Sequence, residues 1–202
     1  MRQRPALIVV DVQRDFCPGG ALPVSKGDEV IEPTNRLIAH FESQRLPIFF
    51  TRDWHPADHC SFKSQGGQWP PHCVRNTSGA EFYPSLHVPK DAAIISKGTK
   101  KDAEAYSGFQ GTELSERLKD FGVQELYVTG LATDYCVKNT VLDGLSKGYR
   151  VGVVSDCVRG VNLRPGDSAS AFRIMLAGGA KKIKSGGVLK NISRRAAISS
   201  SS

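Results

Sequence analysis

The sequence contains no long apolar run. Ala6 to Val10 is apolar until Asp11 ends it. Five residues are too few for the core of a secretory signal or for a membrane span, which needs about 20. No segment repeats at a solenoid period, so stacked-repeat folds are set aside. Cysteine is sparse and odd in number: Cys17, Cys60, Cys73, Cys136 and Cys157. Without a secretory signal, an odd set in a chain of 202 residues argues against a disulfide framework. The thiols are better read for reactivity or metal binding. These absences point to a cytoplasmic protein with no membrane partner.

Acidic residues are missing from the last stretch. From Lys181 onward the charges are Lys181, Lys182, Lys184, Lys190, Arg194 and Arg195, all positive. The formal net charge is +7, so the rest of the chain sits near about +1. The excess belongs to the terminal segment and not to a nucleic-acid-binding face, and no nucleic-acid partner is expected. Residues 1–184 should form one domain. Residues 185–202, basic and ending in serines, should be disordered.

What is present is an ordinary globular composition, 40% hydrophobic and 23% charged, enough for one well-buried domain and marginal for two. Short β-rich runs alternate with helical patterns. Strands are expected over Ala6 to Asp11, Leu46 to Arg52, Ala92 to Ser96, Glu125 to Thr129, Arg150 to Ser155 and Lys181 to Lys184. Helices are expected over Pro33 to Gln44, Thr112 to Phe121, Tyr135 to Lys147 and Ser168 to Ala177. Thr112 and Asp167 serve as caps, and Gly122, Gly148 and Gly178-Gly179 as stops. This alternation defines an α/β class, a mostly parallel six-stranded sheet with helices on both faces in three layers. Pro56 to Lys90 lacks periodicity, and a loop that long in a compact domain is usually functional.

Ligands of open α/β sheets bind beyond the carboxyl ends of the strands. The polar residues expected there are Asp11, the pair Asp53 and His55, Lys97, and the segment Gly130 to Cys136. Cys136 falls in the first turn of a helix, where exposed N–H groups favour a thiolate; the plain alternative is a small buried hydrophobe. Asp11 could take the thiol proton, and Lys97 could balance the charge. Asp53 and His55 point the same way on extended chain. With His59 and His72 they offer a carboxylate and imidazoles suited to zinc, iron or manganese. A closed structural zinc site made by His59, Cys60, His72 and Cys73 is the alternative. Phe16, Trp69 and Tyr106 lie near these positions and could sandwich a flat ring, although such residues are more often simply packing.

The motifs Asp11-Val12-Gln13-Arg14-Asp15-Phe16, Asp53-Trp54-His55-Pro56, Trp69-Pro70-Pro71-His72-Cys73, Lys97-Gly98, Tyr106-Ser107-Gly108-Phe109 and Gly130-Leu131-Ala132-Thr133-Asp134-Tyr135-Cys136-Val137 occur in an order that resembles the nicotinamidase (pyrazinamidase) branch of the isochorismatase-like hydrolases. They run from about residue 5 to 180, and together they are specific where each alone is weak. The resemblance implies an Asp11, Lys97, Cys136 triad. It implies one divalent metal, zinc first, held by Asp53, His55 and His72, with His59 a fourth ligand in some members. It implies a cis peptide before Ala132 and an oxyanion hole from the Ala132 and Cys136 amides. The reaction implied is hydrolysis of nicotinamide to nicotinate through a Cys136 thioester, in NAD salvage. Arg14 and Asn76 depart from the family pattern, Asn76 standing where glycine is common. Rival readings are another amidase of this fold acting on pyrazinamide-like or N-carbamoyl substrates, an isochorismatase, a zinc-stabilised binding protein without activity, and a nucleic-acid binder using the basic tail. The oligomeric state stays open, a homo-oligomer included.

Overall fold

The computed structural model describes residues 4–200, except for the side chains at 196 and 198–200. Six strands pair in parallel: β1 (Arg4–Val10), β2 (Ile48–Asp53), β3 (Ala93–Lys97), β4 (Val123–Leu131), β5 (Arg150–Arg159) and β6 (Lys181–Ile183), in the order β3-β2-β1-β4-β5-β6. The order reverses between β1 and β4, and a crevice opens outside the carboxyl ends at such a switch point. Asp11 follows β1, and the Ala132 to Cys136 segment follows β4, so the pairing of β1 with β4 brings them to one place.

Five α-helices cover the sheet: α1 (Ile31–Ser43), α2 (Leu114–Asp120), α3 (Lys138–Ser146), α4 (Asp167–Ala177) and α5 (Ser185–Ser200). The period-2 alternation of a strand sends its side chains to opposite faces. In β1, Leu7 and Val9 join one core with Leu37, Ile38 and Phe41 of α1. Ala6, Ile8 and Val10 join the other with Leu114, Leu118, Val141 and Met175 of α2, α3 and α4. β1 is buried on both sides, which is why it reads as an unbroken apolar run. Among the described residues, no helix is long and apolar enough to cross a membrane.

Several boundaries differ from expectation, each for a local reason. β4 was expected to stop at Thr129 and instead continues through Leu131, because Gly130 takes a positive φ of 103° with no side chain to obstruct β1. A Cβ there would lie 2.0 Å from the Val10 carbonyl oxygen. β5 likewise runs past Ser155, pairing Val158 and Arg159 with Gly130 and Leu131 after an irregularity in register. The helix expected from Tyr135 begins as a π turn over Thr133–Val137, with Val137 N–H donating to Ala132 O at 3.1 Å. Asp167 does not cap α4. Gly166 precedes the helix, and the Asp167 carboxylate accepts the Arg164 N–H at 2.8 Å.

The expected disorder of residues 185–202 is corrected. Ser185–Ser200 forms α5, and only the last two serines fall outside the described residues. Val188 and Ile192, one helical turn apart, are buried in the core shared with α1. Burial of that size contributes about 1.5–3 kcal/mol per side chain, which the serine and basic composition conceals. Asp156 of β5 anchors the helix start, accepting the Ser185 N–H at 2.8 Å and the Ser185 hydroxyl at 2.6 Å. Arg195 pairs with Glu125 at 2.6 Å. The basic segment is therefore part of the domain.

Candidate active site

The end of β3 delivers Lys97, a lysine with 1% of its surface exposed. Its Nζ lies 2.9 Å from Asp11 Oδ2, 3.1 Å from the Ala105 carbonyl oxygen and 3.4 Å from Cys136 Sγ, and it forms an ion pair with Asp53 Oδ1. A carboxylate oxygen from each of Asp11 and Asp53 and the Cys136 sulfur fall within 4.8 Å of one another. Residues 11, 97 and 136, far apart in sequence, thus converge at the switch point. Burial alone would lower the Lys97 pKa. The carboxylates of Asp11 and Asp53 and the Cys136 thiol outweigh that, and its pKa is held well above the usual lysine value.

Burial pushes the Asp11 pKa up against the pull of Lys97. The Cys136 thiol is pushed well above its usual range, first by burial and then by Asp11 and Asp53, with Lys97 opposing. Burial and two neighbouring carboxylates thus oppose the thiolate that the exposed N–H groups of the helix start favour. A thiol beside a buried carboxylate is an arrangement for proton transfer. Asp11 Oδ2 faces Lys97 without a hydrogen bond of good geometry and is free to accept. Oδ1 already accepts the Thr51 hydroxyl at 2.6 Å.

Beside this cluster, Asp53, His55 and His72 present ligand atoms within 4.8 Å of one another, all buried. His55 Nδ1 faces the Gly98 carbonyl at 2.9 Å and His72 Nδ1 the Pro70 carbonyl at 2.8 Å. A ring nitrogen facing a carbonyl donates, so Nδ1 of each ring is engaged and Nε2 is the atom left for a metal, the outer-shell arrangement of metal-binding histidines. One carboxylate and two such imidazoles fit a divalent ion of the zinc type. His59 stands beside the group, not in it. Its ring stacks on His55 with centroids 4.1 Å apart, and its nitrogens face Ser61 Oγ at 2.8 Å and the Ala103 carbonyl at 3.2 Å. The alternative site built on Cys60 and Cys73 does not form among the described residues. Cys73 Sγ is buried, and its backbone N–H is held by Asp15 Oδ2 at 2.7 Å.

Trp69 Nε1 donates to Tyr106 Oη at 3.1 Å, and Phe16 packs against His72 with ring centroids 5.5 Å apart. Phe16 thus lies beside a residue of the metal group, and Trp69 and Tyr106 lie beside each other. Tyr135 joins them, its ring 5.1 Å from Trp69 and 5.5 Å from Tyr106. The peptide between Leu131 and Ala132 is cis. Ala132 O accepts both Tyr135 N–H and Val137 N–H at 3.1 Å, closing the turn that carries Cys136. His87 pairs with Glu42, and His40 lies on the exposed side of α1 near Ser193. Both stand apart from the Asp53, His55, His72 group. Asn76 takes a φ of 65°, which explains glycine at that position elsewhere, since asparagine is among the few side chains that tolerate it. Arg14 pairs with Glu81 on the rim at 3.2 Å.

Sequence reasoning missed three residues. Gln13 is fully buried, and its amide binds both N–H and C=O of Asp53. Thr51 holds Asp11. Tyr135 completes the aromatic wall. Thr51 was within reach, since it lies two residues before Asp53 on β2 and so on the same side of the strand.

A doubly covered parallel sheet with acid, amine and thiol at its switch point defines an α/β enzyme of the hydrolase class. Residues 5–183 match the isochorismatase domain, and the chain belongs to that family. A relative named nicotinamidase from Escherichia coli (strain K12) is 46% identical over 87% of this chain and 92% of its own. A crystal structure of a pyrazinamidase of Pyrococcus horikoshii in complex with zinc superposes with a TM-score of 0.86 at 49% identity, covering 90% of this chain and 99% of that one. PnC1 from L. infantum in complex with nicotinate gives a TM-score of 0.85 at 31% identity over 92% of this chain and 94% of that one.

Proposed function

We propose that the protein is a cytoplasmic nicotinamidase that hydrolyses nicotinamide to nicotinate and ammonia, in NAD salvage. The convergence of Asp11, Lys97 and Cys136 beside the Asp53, His55, His72 group carries this reading. Its relatives in the isochorismatase family, named nicotinamidase and pyrazinamidase, support the substrate.

The pyridine ring enters between Phe16 and Trp69, with Tyr106 fixing the indole. A divalent ion, zinc by the donor set, would be held by Asp53, His55 and His72 and supplies, when bound, an electrophilic anchor for a ring nitrogen. Asp11 Oδ2 takes the Cys136 proton as Sγ bonds to the carboxamide carbon. The carbonyl electron pair moves to oxygen, which is met by the Ala132 and Cys136 N–H groups; one such donor is worth about 3 kcal/mol. Collapse breaks the C–N bond, and Asp11 returns the proton to the leaving ammonia. Asp11 then draws a proton from water as the water oxygen bonds to the thioester carbon; collapse breaks the C–S bond, Asp11 returns that proton to Cys136 Sγ, and the nicotinic acid formed leaves as nicotinate with its proton passing to solvent. Lys97 keeps the exchange electrically balanced throughout.

Ammonia release from nicotinamide by the metal-loaded protein and by Cys136→Ala tests the proposal. Undiminished turnover by Cys136→Ala overturns the mechanism; no turnover by the native protein overturns the substrate. Pyrazinamide is the second substrate to assay, because a flat pocket discriminates weakly between related rings.

A further inference from the structure

We propose that the Thr51 hydroxyl is a positioning group for the proton transfer: it reserves Asp11 Oδ1, so that the proton exchanged with Cys136 can reside only on Oδ2. The inference rests on the reading of Asp11 as the base.

A carboxylate has two equivalent oxygens and turns about its last bond with little resistance. A base that must face one thiol needs that rotation stopped. Thr51 does this through two contacts, and its own rotamer is held by a third. Its hydroxyl donates to Asp11 Oδ1 at 2.6 Å, and both side chains are fully buried. Its carbonyl accepts the Asp11 N–H at 3.2 Å, so the same residue holds the backbone of Asp11, which takes the uncommon φ of 48°. The Thr51 rotamer is itself fixed, because its methyl packs against Gly108, where a Cβ would come within 2.9 Å of Thr51 Cγ2.

The consequence is chemical. Among the described contacts the buried Thr51 hydroxyl has Asp11 Oδ1 as its acceptor, and while it donates there Oδ1 is unprotonated. When Asp11 takes the proton from Cys136 Sγ, the O–H bond therefore forms at Oδ2, on the side of Lys97 and the thiol. The same atom returns it to the leaving nitrogen. Without Thr51, the carboxyl can turn and carry its proton to the wrong side.

Thr51→Val removes the hydroxyl and keeps the shape; Thr51→Ser keeps the hydroxyl. With nicotinamide as substrate, Thr51→Val should lower kcat about tenfold to a hundredfold, as loss of a hydrogen bond to a charged group implies, with KM within about twofold. Thr51→Ser should stay within about threefold of native. A purely structural role would instead lower the melting temperature and leave kcat per folded molecule unchanged. A kcat for Thr51→Val within twofold of native, or a Thr51→Ser as slow as Thr51→Val, overturns the proposal. If Thr51→Val does not fold, Thr51→Ala replaces it. Iodoacetamide alkylation of Cys136, mapped by peptide, needs no substrate and separates this proposal from the nicotinamidase reading. It should slow about tenfold in Thr51→Val, and an unchanged rate overturns the role of Thr51 whichever amide the enzyme cleaves.

Discussion

The side-chain amide of Gln13 grips the main chain of Asp53 from both sides. Gln13 Oε1 accepts the Asp53 N–H at 2.8 Å, and Nε2 donates to the Asp53 carbonyl at 2.8 Å and to the Ala80 carbonyl at 2.9 Å. Asp53 is the one carboxylate shared by Lys97 and the two histidines, so its backbone position decides both halves of the site. Gln13→Leu leaves buried polar groups of Asp53 without partners. It should cost about 1–3 kcal/mol in a denaturant melt and weaken zinc affinity about tenfold to a hundredfold in a chelator competition. Native values in both measurements would show that Gln13 is dispensable.

Lys97 neutralises two buried carboxylates, Asp11 and Asp53. Lys97→Met keeps the length of the side chain and removes the charge, leaving Asp11 and Asp53 facing each other. The variant should lose about 3–5 kcal/mol of stability, together with its nicotinamide turnover. Chemical denaturation and the ammonia assay read the two effects, and a stable, active Lys97→Met would contradict the placement of this charge.

Gly130 is required by contact as well as by conformation. Gly130→Ala places a methyl 2.0 Å from the Val10 carbonyl at a φ of 103°, so β1 and β4 must part at the crevice. The expected result is insoluble protein or a loss of roughly 3 kcal/mol or more. Soluble expression and a melting curve decide.

Asp156 ties α5 to β5, and its contribution depends on pH in a defined direction. Burial alone would raise its pKa, but the hydrogen bonds from Ser185 outweigh that and lower it. A carboxylate whose folded pKa lies below its unfolded value stabilises the fold fully above about pH 4 and loses that effect as pH falls through the lowered value. Asp156→Ala should therefore melt below the native protein at pH 7, and the gap should narrow at about pH 3. A gap independent of pH would sink the assignment.

Deleting residues 185–202 uncovers the surface that Val188 and Ile192 bury against α1. The melting temperature should fall markedly, and Ile192→Ala alone should cost about 2–4 kcal/mol. A truncated protein as stable as the full chain would restore the picture of an independent tail.

Much of this molecule was legible in the chain. The apolar run Ala6 to Val10, the glycine stops at Gly122 and Gly148, and the polar residues at successive strand ends follow from periods of 2 and 3.6 and from glycine's access to positive φ, all local properties. Those periods yielded the α/β class and the strand-end residues Asp11, Asp53, Lys97 and Cys136. The helical turn of Val188 and Ile192 was legible in principle, but composition masked it. What local patterns cannot carry is which neighbours a side chain meets. The upward push on the Cys136 pKa depends on burial and on Asp11 and Asp53, 125 and 83 positions away in the chain. The place of His59 beside the metal group depends on Ser61 and the Ala103 carbonyl, and the aim of Asp11 depends on Thr51. Charge and hydrogen-bond energies act over a few ångströms of space, not along the sequence. The residue types were therefore written in the chain, while their protonation, orientation and partnership were decided only when the sheet brought β1, β2, β3 and β4 side by side.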